Sequence, residues 1–220
     1  MKLRSVALSI PSFNVNDEQA VLSCLRSGWV MQGPLTKQFE EEFASLVGAK
    51  HAVAVTSCTT ALHLMMLTLG IGDGDEVIVP AFSWVSTANA VEYVGTKPVF
   101  VDVDKTFNID LGQIEQAISP KTKAIVPVHL FGLCVDIEQI KNNFPELKIV
   151  EDAACAAGSQ FNGEKAGSMA EMAAFSFHPR KSITTGEGGM VTTNKDDHYQ
   201  KLLTLRNHGL DPNFKKRTNA

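Results

Sequence analysis

The sequence has 220 residues, a net charge of -4, 44% hydrophobic residues and 20% charged residues, as in an ordinary soluble protein with one large domain. The mild acidity gives no electrostatic reason to expect nucleic acid or an anionic membrane as a partner, and no apolar run is long enough to span a bilayer. The four cysteines are widely spaced, without a C-x-x-C pair or a histidine cluster, so we expect reduced thiols, a cytoplasmic location and no metal site.

The N-terminal part is predicted to form two helices, one around residues 18–26 with Asn16 as its N-cap and one at about 35–46 before Gly48. From there apolar strands alternate with amphipathic helices. The predicted strands are 51–55, 76–79, 98–103, 124–128, 148–151, 173–177 and 190–193. The predicted helical segments lie near 60–69, 85–94, 111–118 and 137–143.

This alternation predicts an α/β fold of three layers (αβα), in which a mostly parallel seven-stranded sheet is covered by helices on both faces. Several strands are near-continuous Val/Ile runs, as expected when both faces of a sheet are buried. In such folds ligands bind beyond the carboxyl ends of the strands, so the junctions between strand and helix are the places to look for function.

The first junction, at residues 56–62, is a hydroxyl-rich turn that opens an apolar helix and contains Thr59 and Thr60. Free backbone N–H groups and the helix dipole make such a turn a phosphate site, although Ser and Thr are also the commonest simple N-caps.

The next junction carries Trp84, one of only two tryptophans. Its indole is suited to stack on a planar cofactor, and the alternative is a core or interface aromatic.

Two further junctions carry an acid and an amine. Asp152 follows a buried strand and precedes a small, apolar segment, where an acid needs a partner; the alternative is an N-cap. Lys181 lies five residues after Ser176, before the glycine-rich residues 186–189. A lysine that can form a Schiff base and a carboxylate that can hold a pyridinium nitrogen are the two groups that a pyridoxal phosphate (PLP) enzyme needs. His129 also ends a strand, and we expect a structural role for it.

At these residues the chain resembles the DegT/StrS-type sugar aminotransferases, which have the aspartate-aminotransferase (type I) PLP fold. The similarity is an ordered series of segments across essentially the whole chain: 33–35, 57–62, 70–80, 151–154, 176–189 and 205–209. The resemblance implies one PLP-binding large domain with N-terminal helices over residues 1–220, and a homodimer.

The resemblance also implies a role for each candidate residue. Lys181 forms the internal aldimine and later shuttles a proton, and Asp152 pairs with the pyridine nitrogen. Trp84 matches the aromatic that stacks on the ring. The backbone amides of Thr59 and Thr60 hold the phosphate, assisted by the Ser176 hydroxyl. The reaction implied is transfer of an amino group from glutamate to a nucleotide-linked keto sugar.

Two departures from the family pattern stand out. Cys155 occupies a position where many relatives have Gln or His near the cofactor's phenolic oxygen, and a thiol is a weak hydrogen-bond partner. The sequence also ends at Ala220, whereas similar proteins continue with a small domain and an Asn-Tyr-Arg segment that reaches the neighbouring subunit's cofactor phosphate. We therefore expect the C-terminal small domain to be absent, in a truncated chain or an atypically short member.

The sequence leaves three alternatives open. One is another PLP enzyme of the same family, a dehydratase or an inosose aminotransferase, although Lys181 argues against the sugar 3-dehydratase branch, in which histidine replaces the lysine. The second is a PLP-binding fragment that turns over nothing. The third is an NAD-type oxidoreductase, which no correctly placed glycine fingerprint supports, because the glycines at 70–74 follow a helix and precede a strand.

Overall fold

A computed structural model describes residues 6, 7 and 9–210. The helices in this part of the chain are α1 (Val15–Ser27), α2 (Pro34–Val47), α3 (Cys58–Leu69), α4 (Ser86–Glu92), α5 (Ile114–Ala117), α6 (Ile137–Asn143) and α7 (Asp196–Arg206). The strands are β1 (His51–Val55), β2 (Glu76–Pro80), β3 (Lys97–Val101), β4 (Thr122–Ile125), β5 (Lys148–Asp152), β6 (Gln160–Phe161), β7 (Glu164–Lys165), β8 (Met172–Ser176) and β9 (Gly189–Thr193).

Seven strands form one sheet in the order β1-β9-β8-β5-β4-β2-β3. The pairs β8/β5, β5/β4, β4/β2 and β2/β3 are parallel, and only β9 runs antiparallel to its two neighbours, β1 and β8. The prediction of a mostly parallel seven-stranded sheet is therefore confirmed. Because β9 is the one reversed strand, its amino end lies at the same edge as the carboxyl ends of β1, β5 and β8.

Two separate hydrophobic cores lie on opposite faces of this sheet. One core joins α2, α5 and α6 to the sheet through residues such as Phe43, Ile114 and Ile140. The other joins α3, α4 and α7 through residues such as Met65, Val91 and Leu202. Neighbouring positions of a strand alternate between the two, as Ile78 and Val79 of β2 do. This arrangement is the predicted three-layer αβα fold.

The predicted helix boundaries need small corrections. The N-cap of α1 is Asn14, not Asn16: its Oδ1 accepts hydrogen bonds from the N–H groups of Asn16 and Asp17, at 2.7 and 3.3 Å. The Asp17 carboxylate in turn accepts the Asn14 N–H at 2.8 Å, which completes a capping box. The helix predicted near 111–118 is a 3-10 turn, Leu111–Gln113, followed by the single turn of α5.

The strand predictions differ most at β4, which ends at Ile125 and not at residue 128. Pro127 has no N–H to donate to a ladder, so pairing beyond this point reduces to an isolated bridge between Val128 and Asp152. The sequence prediction also omitted α7 and the short β6–β7 hairpin. In the described ranges no helix is both long and apolar enough to cross a membrane.

Candidate active site

Most of the predicted site residues lie together at the strand ends, around one cavity of about 480 Å³. It lies where β1, β5 and β8 end and where β9 begins, at the edge that the strand-end rule predicts. Five of the six residues predicted from the sequence line this cavity: Thr59, Trp84, Asp152, Ser176 and Lys181. Thr60 is not in the lining.

The first turn of α3 separates the two threonines. Ser57 is the N-cap, and its Oγ accepts the Thr60 N–H at 3.1 Å. Within the described residues, the N–H groups of Cys58 and Thr59 make no hydrogen bond. Two free donors at the positive end of a helix dipole form an anion site. The turn therefore serves both as an N-cap and as a candidate phosphate site, with Cys58 in the place where the sequence pointed to Thr60.

Gly189 allows the first residue of β9 to lie directly beside this turn. A Cβ atom on Gly189 would lie 2.5 Å from the Ser57 carbonyl carbon and 2.6 Å from the Cys58 nitrogen. Both of these atoms are backbone, so no side chain can move aside to make room. Glycine is thus required here for the close approach that fixes the free N–H groups next to the cavity.

Asp152 is the last residue of β5 and is 4% exposed. Its Oδ2 accepts a hydrogen bond from Thr87 Oγ1 at 2.8 Å, and its Oδ1 accepts one from the Ala154 N–H at 3.1 Å. Burial raises the pKa of this carboxyl above its usual value, against the opposing effects of these two hydrogen bonds and of the Lys181 charge. The site therefore favours an added cation beside this carboxylate.

Lys181 follows β8 in a turn in which its N–H donates to the His178 carbonyl at 2.8 Å. Its Nζ donates to the Sγ of Cys155 at 3.0 Å. Cys155 is thus in contact with the candidate Schiff-base amine, a contact that sequence reasoning did not assign. The Ser176 hydroxyl lies at the end of β8 and accepts the His178 N–H at 3.4 Å.

Two exposed aromatic residues stand at the cavity. Trp84 is 73% exposed, so it is not a core aromatic in this chain. Phe131 is 77% exposed and has a positive φ of 55°, which is rare for a bulky residue. Both side chains line the cavity, and both offer a face on which a planar group can stack.

Several other lining residues were missed in the sequence. His178, Arg180 and Glu187 lie in the same glycine-rich segment as Lys181, and that proximity in the chain was the available signal. Thr87 was missed as well; it does not line the cavity but contacts Asp152, and it is four residues after Ser83, with which it shares a hydrogen bond of 2.8 Å. A pair of hydroxyls four residues apart, one on each side of Trp84, was the signal in that case.

Two buried side chains close to Asp152 are structural. His129 and Glu151 are both fully buried, and His129 Nε2 lies 2.9 Å from Glu151 Oε2. Neither lines the cavity. This placement agrees with the structural role expected for His129.

The comparisons with known proteins agree with this geometry. The sequence profile of the DegT/DnrJ/EryC1/StrS aminotransferase family matches residues 11–220. The chain belongs to this family.

A curated relative, the GDP-perosamine synthase of Caulobacter vibrioides, is 45% identical over 215 residues, which are 96% of this chain and 58% of that protein. Among solved structures, Helicobacter pylori PseC, an aminotransferase involved in the biosynthesis of pseudoaminic acid, matches with a TM-score of 0.90 and 35% identity, over 97% of this chain and 59% of that one. The PLP form of the putative sugar aminotransferase Spr1654 from Streptococcus pneumoniae matches with a TM-score of 0.86 and 34% identity, over 92% of this chain and 58% of that one. The chain thus spans less than two thirds of the length of each.

Proposed function

We propose that this chain carries the PLP site of an aminotransferase that passes an amino group from glutamate to a keto sugar linked to a nucleoside diphosphate. One observation carries the proposal: a single cavity collects a lysine amine, a buried carboxylate and a helix N-terminus with two free N–H groups. These three groups match the aldehyde, the pyridine nitrogen and the phosphate of PLP in chemistry. The family and the named relatives support the same reading.

Each residue has a distinct task in this proposal. The Cys58 and Thr59 N–H groups, with the Ser176 hydroxyl, bind the phosphate. The Asp152 carboxylate binds the protonated ring nitrogen, and this cation offsets the cost of burying the carboxylate. Trp84 covers one face of the ring and excludes water from it. This set keeps all the residues predicted from the sequence except Thr60, whose N–H donates to the side chain of the N-cap Ser57.

Lys181 has two tasks. Its Nζ would hold the cofactor covalently and, as a free amine, would take up the proton from the Cα of the amino donor and return it. Bound PLP supplies the electron sink that makes the Cα proton acidic enough to move. The Cys155 Sγ, 3.0 Å from Nζ, lies where it can orient this amine.

The substrates and the assembly belong to the proposal as well. Glutamate as donor, the nucleotide-linked sugar as acceptor and a homodimer follow from the family resemblance, and a cytoplasmic location follows from the widely spaced cysteines. The interpretation of residues 1–220 as the PLP-binding large domain rests on the family resemblance. Another PLP enzyme of the family and an inactive PLP-binding fragment are the alternatives that the experiment below separates.

The test is to add PLP to the purified chain and to record the visible absorption band of a lysine-bound cofactor. Borohydride should fix the cofactor on Lys181, where peptide mapping locates it. Lys181→Ala should abolish the band. Lys37→Ala is the matched control, because Lys37 is an exposed lysine of α2 whose ion pair with Glu41 is solvent-exposed and 3.8 Å long.

A band that survives Lys181→Ala, or label found on another lysine, would refute the cofactor assignment. If the band forms, glutamate alone should convert it to the pyridoxamine form, and loss of this form on addition of a nucleotide-linked keto sugar would identify the acceptor. A band that glutamate leaves unchanged would favour the fragment that binds PLP without turnover.

A further inference from the structure

We propose that Cys155 and Lys181 form an oxidation-sensitive pair, in which hydrogen peroxide joins Sγ to Nζ through a reversible covalent S–N bond. The bond forms between two side chains of this chain and does not depend on a bound cofactor. Its consequence for the enzyme does depend on the proposed function, because it consumes the amine assigned to PLP.

The two reacting atoms are already in contact. Lys181 Nζ donates to Cys155 Sγ at 3.0 Å, and both residues line the same open cavity. Each side chain belongs to a turn that a backbone hydrogen bond holds. In the turn of Cys155, the Ala156 N–H donates to the Ala153 carbonyl at 2.9 Å. In the turn of Lys181, the Lys181 N–H donates to the His178 carbonyl at 2.8 Å. This fixed geometry replaces a bimolecular encounter by an intramolecular one, which strongly favours bond formation.

The other cysteines differ from Cys155 in exposure or in partner. Cys155 is exposed, whereas Cys134 is buried and burial raises the pKa of its thiol to about 11. Burial and the Asp152 charge raise the pKa of the Cys58 thiol well above its ordinary value. Cys24 donates its thiol hydrogen to the Trp29 carbonyl at 3.4 Å. Since thiolates are the species that peroxide oxidises, Cys155 is the cysteine placed to react.

The chemistry balances with one molecule of peroxide. The Cys155 sulfur attacks the peroxide O–O bond, an S–O bond forms, and the displaced hydroxide leaves as water with the thiol proton; sulfur loses two electrons, which peroxide gains. Lys181, after losing its ammonium proton to solvent, then attacks the sulfur. The N–S bond forms as the S–O bond breaks, and the hydroxide leaves as water with an Nζ proton. Excess thiol reverses the bond, yielding the free cysteine, the free amine and the disulfide of the reductant.

The outcome for the active site is a lysine without a free amine. Such a chain cannot hold PLP covalently, whereas a chain already carrying PLP on Lys181 has no free Nζ for the sulfur. The pair would thus respond to oxidant only while the lysine is unmodified.

The experiment treats the purified chain, without and with prior PLP, with equimolar hydrogen peroxide, and then measures intact mass without reductant. The chain without PLP should lose about 2 Da, the two hydrogen atoms removed when sulfur and nitrogen join. Peptide mapping should link the Cys155 peptide to the Lys181 peptide. The PLP absorption band should fall in proportion to the linked fraction and return after dithiothreitol.

Cys155→Ser should abolish the mass loss, and Cys24→Ser, at a cysteine outside the cavity, should leave it unchanged. Several results would overturn the proposal: no mass loss, a Cys155–Cys58 disulfide, a link between the same two residues that gains mass, or a loss that persists in Cys155→Ser. A link that forms while PLP gives no protection would keep the inference and refute the assignment of Lys181 as the PLP lysine.

Discussion

Glu151 and Asp152 are consecutive buried acids at the end of β5, and their surroundings differ sharply. Glu151 points toward the face of the sheet covered by α2, α5 and α6, and three N–H donors surround its carboxylate. Gly167 donates at 2.9 Å, Ala170 at 2.8 Å and His129 Nε2 at 2.9 Å. The His129 Nδ1 accepts a backbone N–H, so Nε2 is the nitrogen that carries the proton.

Asp152 points to the opposite face and to the cavity, and it has two donors, Thr87 and Ala154. Burial raises its pKa, so the folded chain holds its negative charge at a cost. The comparison teaches that burial alone does not identify a functional acid. The distinguishing property is hydrogen-bonding capacity that the protein leaves unused at the wall of a cavity.

The largest expected effect comes from removing Glu151, the acid whose carboxylate already accepts three hydrogen bonds within the protein. Glu151→Ala leaves two backbone N–H groups and the His129 ring without their acceptor in a dry interior. We expect the free energy of unfolding to fall by about 3–5 kcal/mol, as for other buried polar networks that lose one member. Urea unfolding followed by circular dichroism measures this change.

The matched control is Glu164→Ala, which removes an exposed acid from the β6–β7 hairpin. Its effect should stay within about 0.5 kcal/mol. Equal losses in the two variants would contradict the structural role assigned to Glu151 and with it the contrast between the two acids.

The second expected effect has opposite signs for folding and for binding. Asp152→Asn keeps the side-chain size and removes a buried charge. We expect the chain without PLP to gain about 1 kcal/mol at neutral pH, because no paired charge is lost. PLP should bind at least about tenfold more weakly, since the partner of its ring nitrogen is missing. Urea unfolding and PLP titration give the two numbers.

Asp73→Asn, at an exposed acid in the turn before β2, is the control and should change neither quantity. A loss of stability in Asp152→Asn without PLP would mean that the carboxylate is satisfied within the chain, as Glu151 is. Unchanged PLP affinity would remove Asp152 from the proposed site.

Asp152 and Ser176 both lie where buried strands end, so the strand-end rule, a property of the whole fold class, is enough to point to the edge of the sheet where they line the cavity. The sequence also predicts the sheet, whose Val/Ile runs reflect burial on both faces. The distinction between Glu151 and Asp152 is not readable from two adjacent letters. It depends on Gly167, Ala170 and Thr87, which only the folded chain brings to β5.

Other features of the site depend on contacts between distant segments. The need for glycine at residue 189 arises from the backbone at Ser57 and Cys58, on a different strand end. The contact between Lys181 and Cys155 joins positions 26 residues apart. The cap at Ser57 decides which N–H groups stay free, and the sequence turn offers several equivalent hydroxyls for that task.

The smallest effect, and the one that sharpens the comparison most, is the pH dependence of stability without PLP. A carboxyl whose pKa is raised on folding binds its proton more tightly in the folded state. The contribution of this carboxyl to the free energy of unfolding is therefore most favourable below its ordinary pKa of 3.8. This contribution is lost as the pH rises toward the pKa of the folded state. The stability advantage of Asp152→Asn over the unaltered chain should grow with pH across this window and then stay constant.

Comparing Asp152→Asn with the unaltered chain removes the contribution of acids whose pKa is lowered on folding. Glu76 and Asp196, whose pKa values are lowered by hydrogen bonds, are present in both chains and affect both equally. Thr87→Val sharpens the measurement, since it removes a hydrogen bond that lowers the pKa of Asp152. It should extend the window to higher pH. Saturating PLP should flatten the profile of the unaltered chain, because the ring nitrogen then pairs with the carboxylate. If the difference in the free energy of unfolding between Asp152→Asn and the unaltered chain does not depend on pH, folding does not raise the pKa of Asp152.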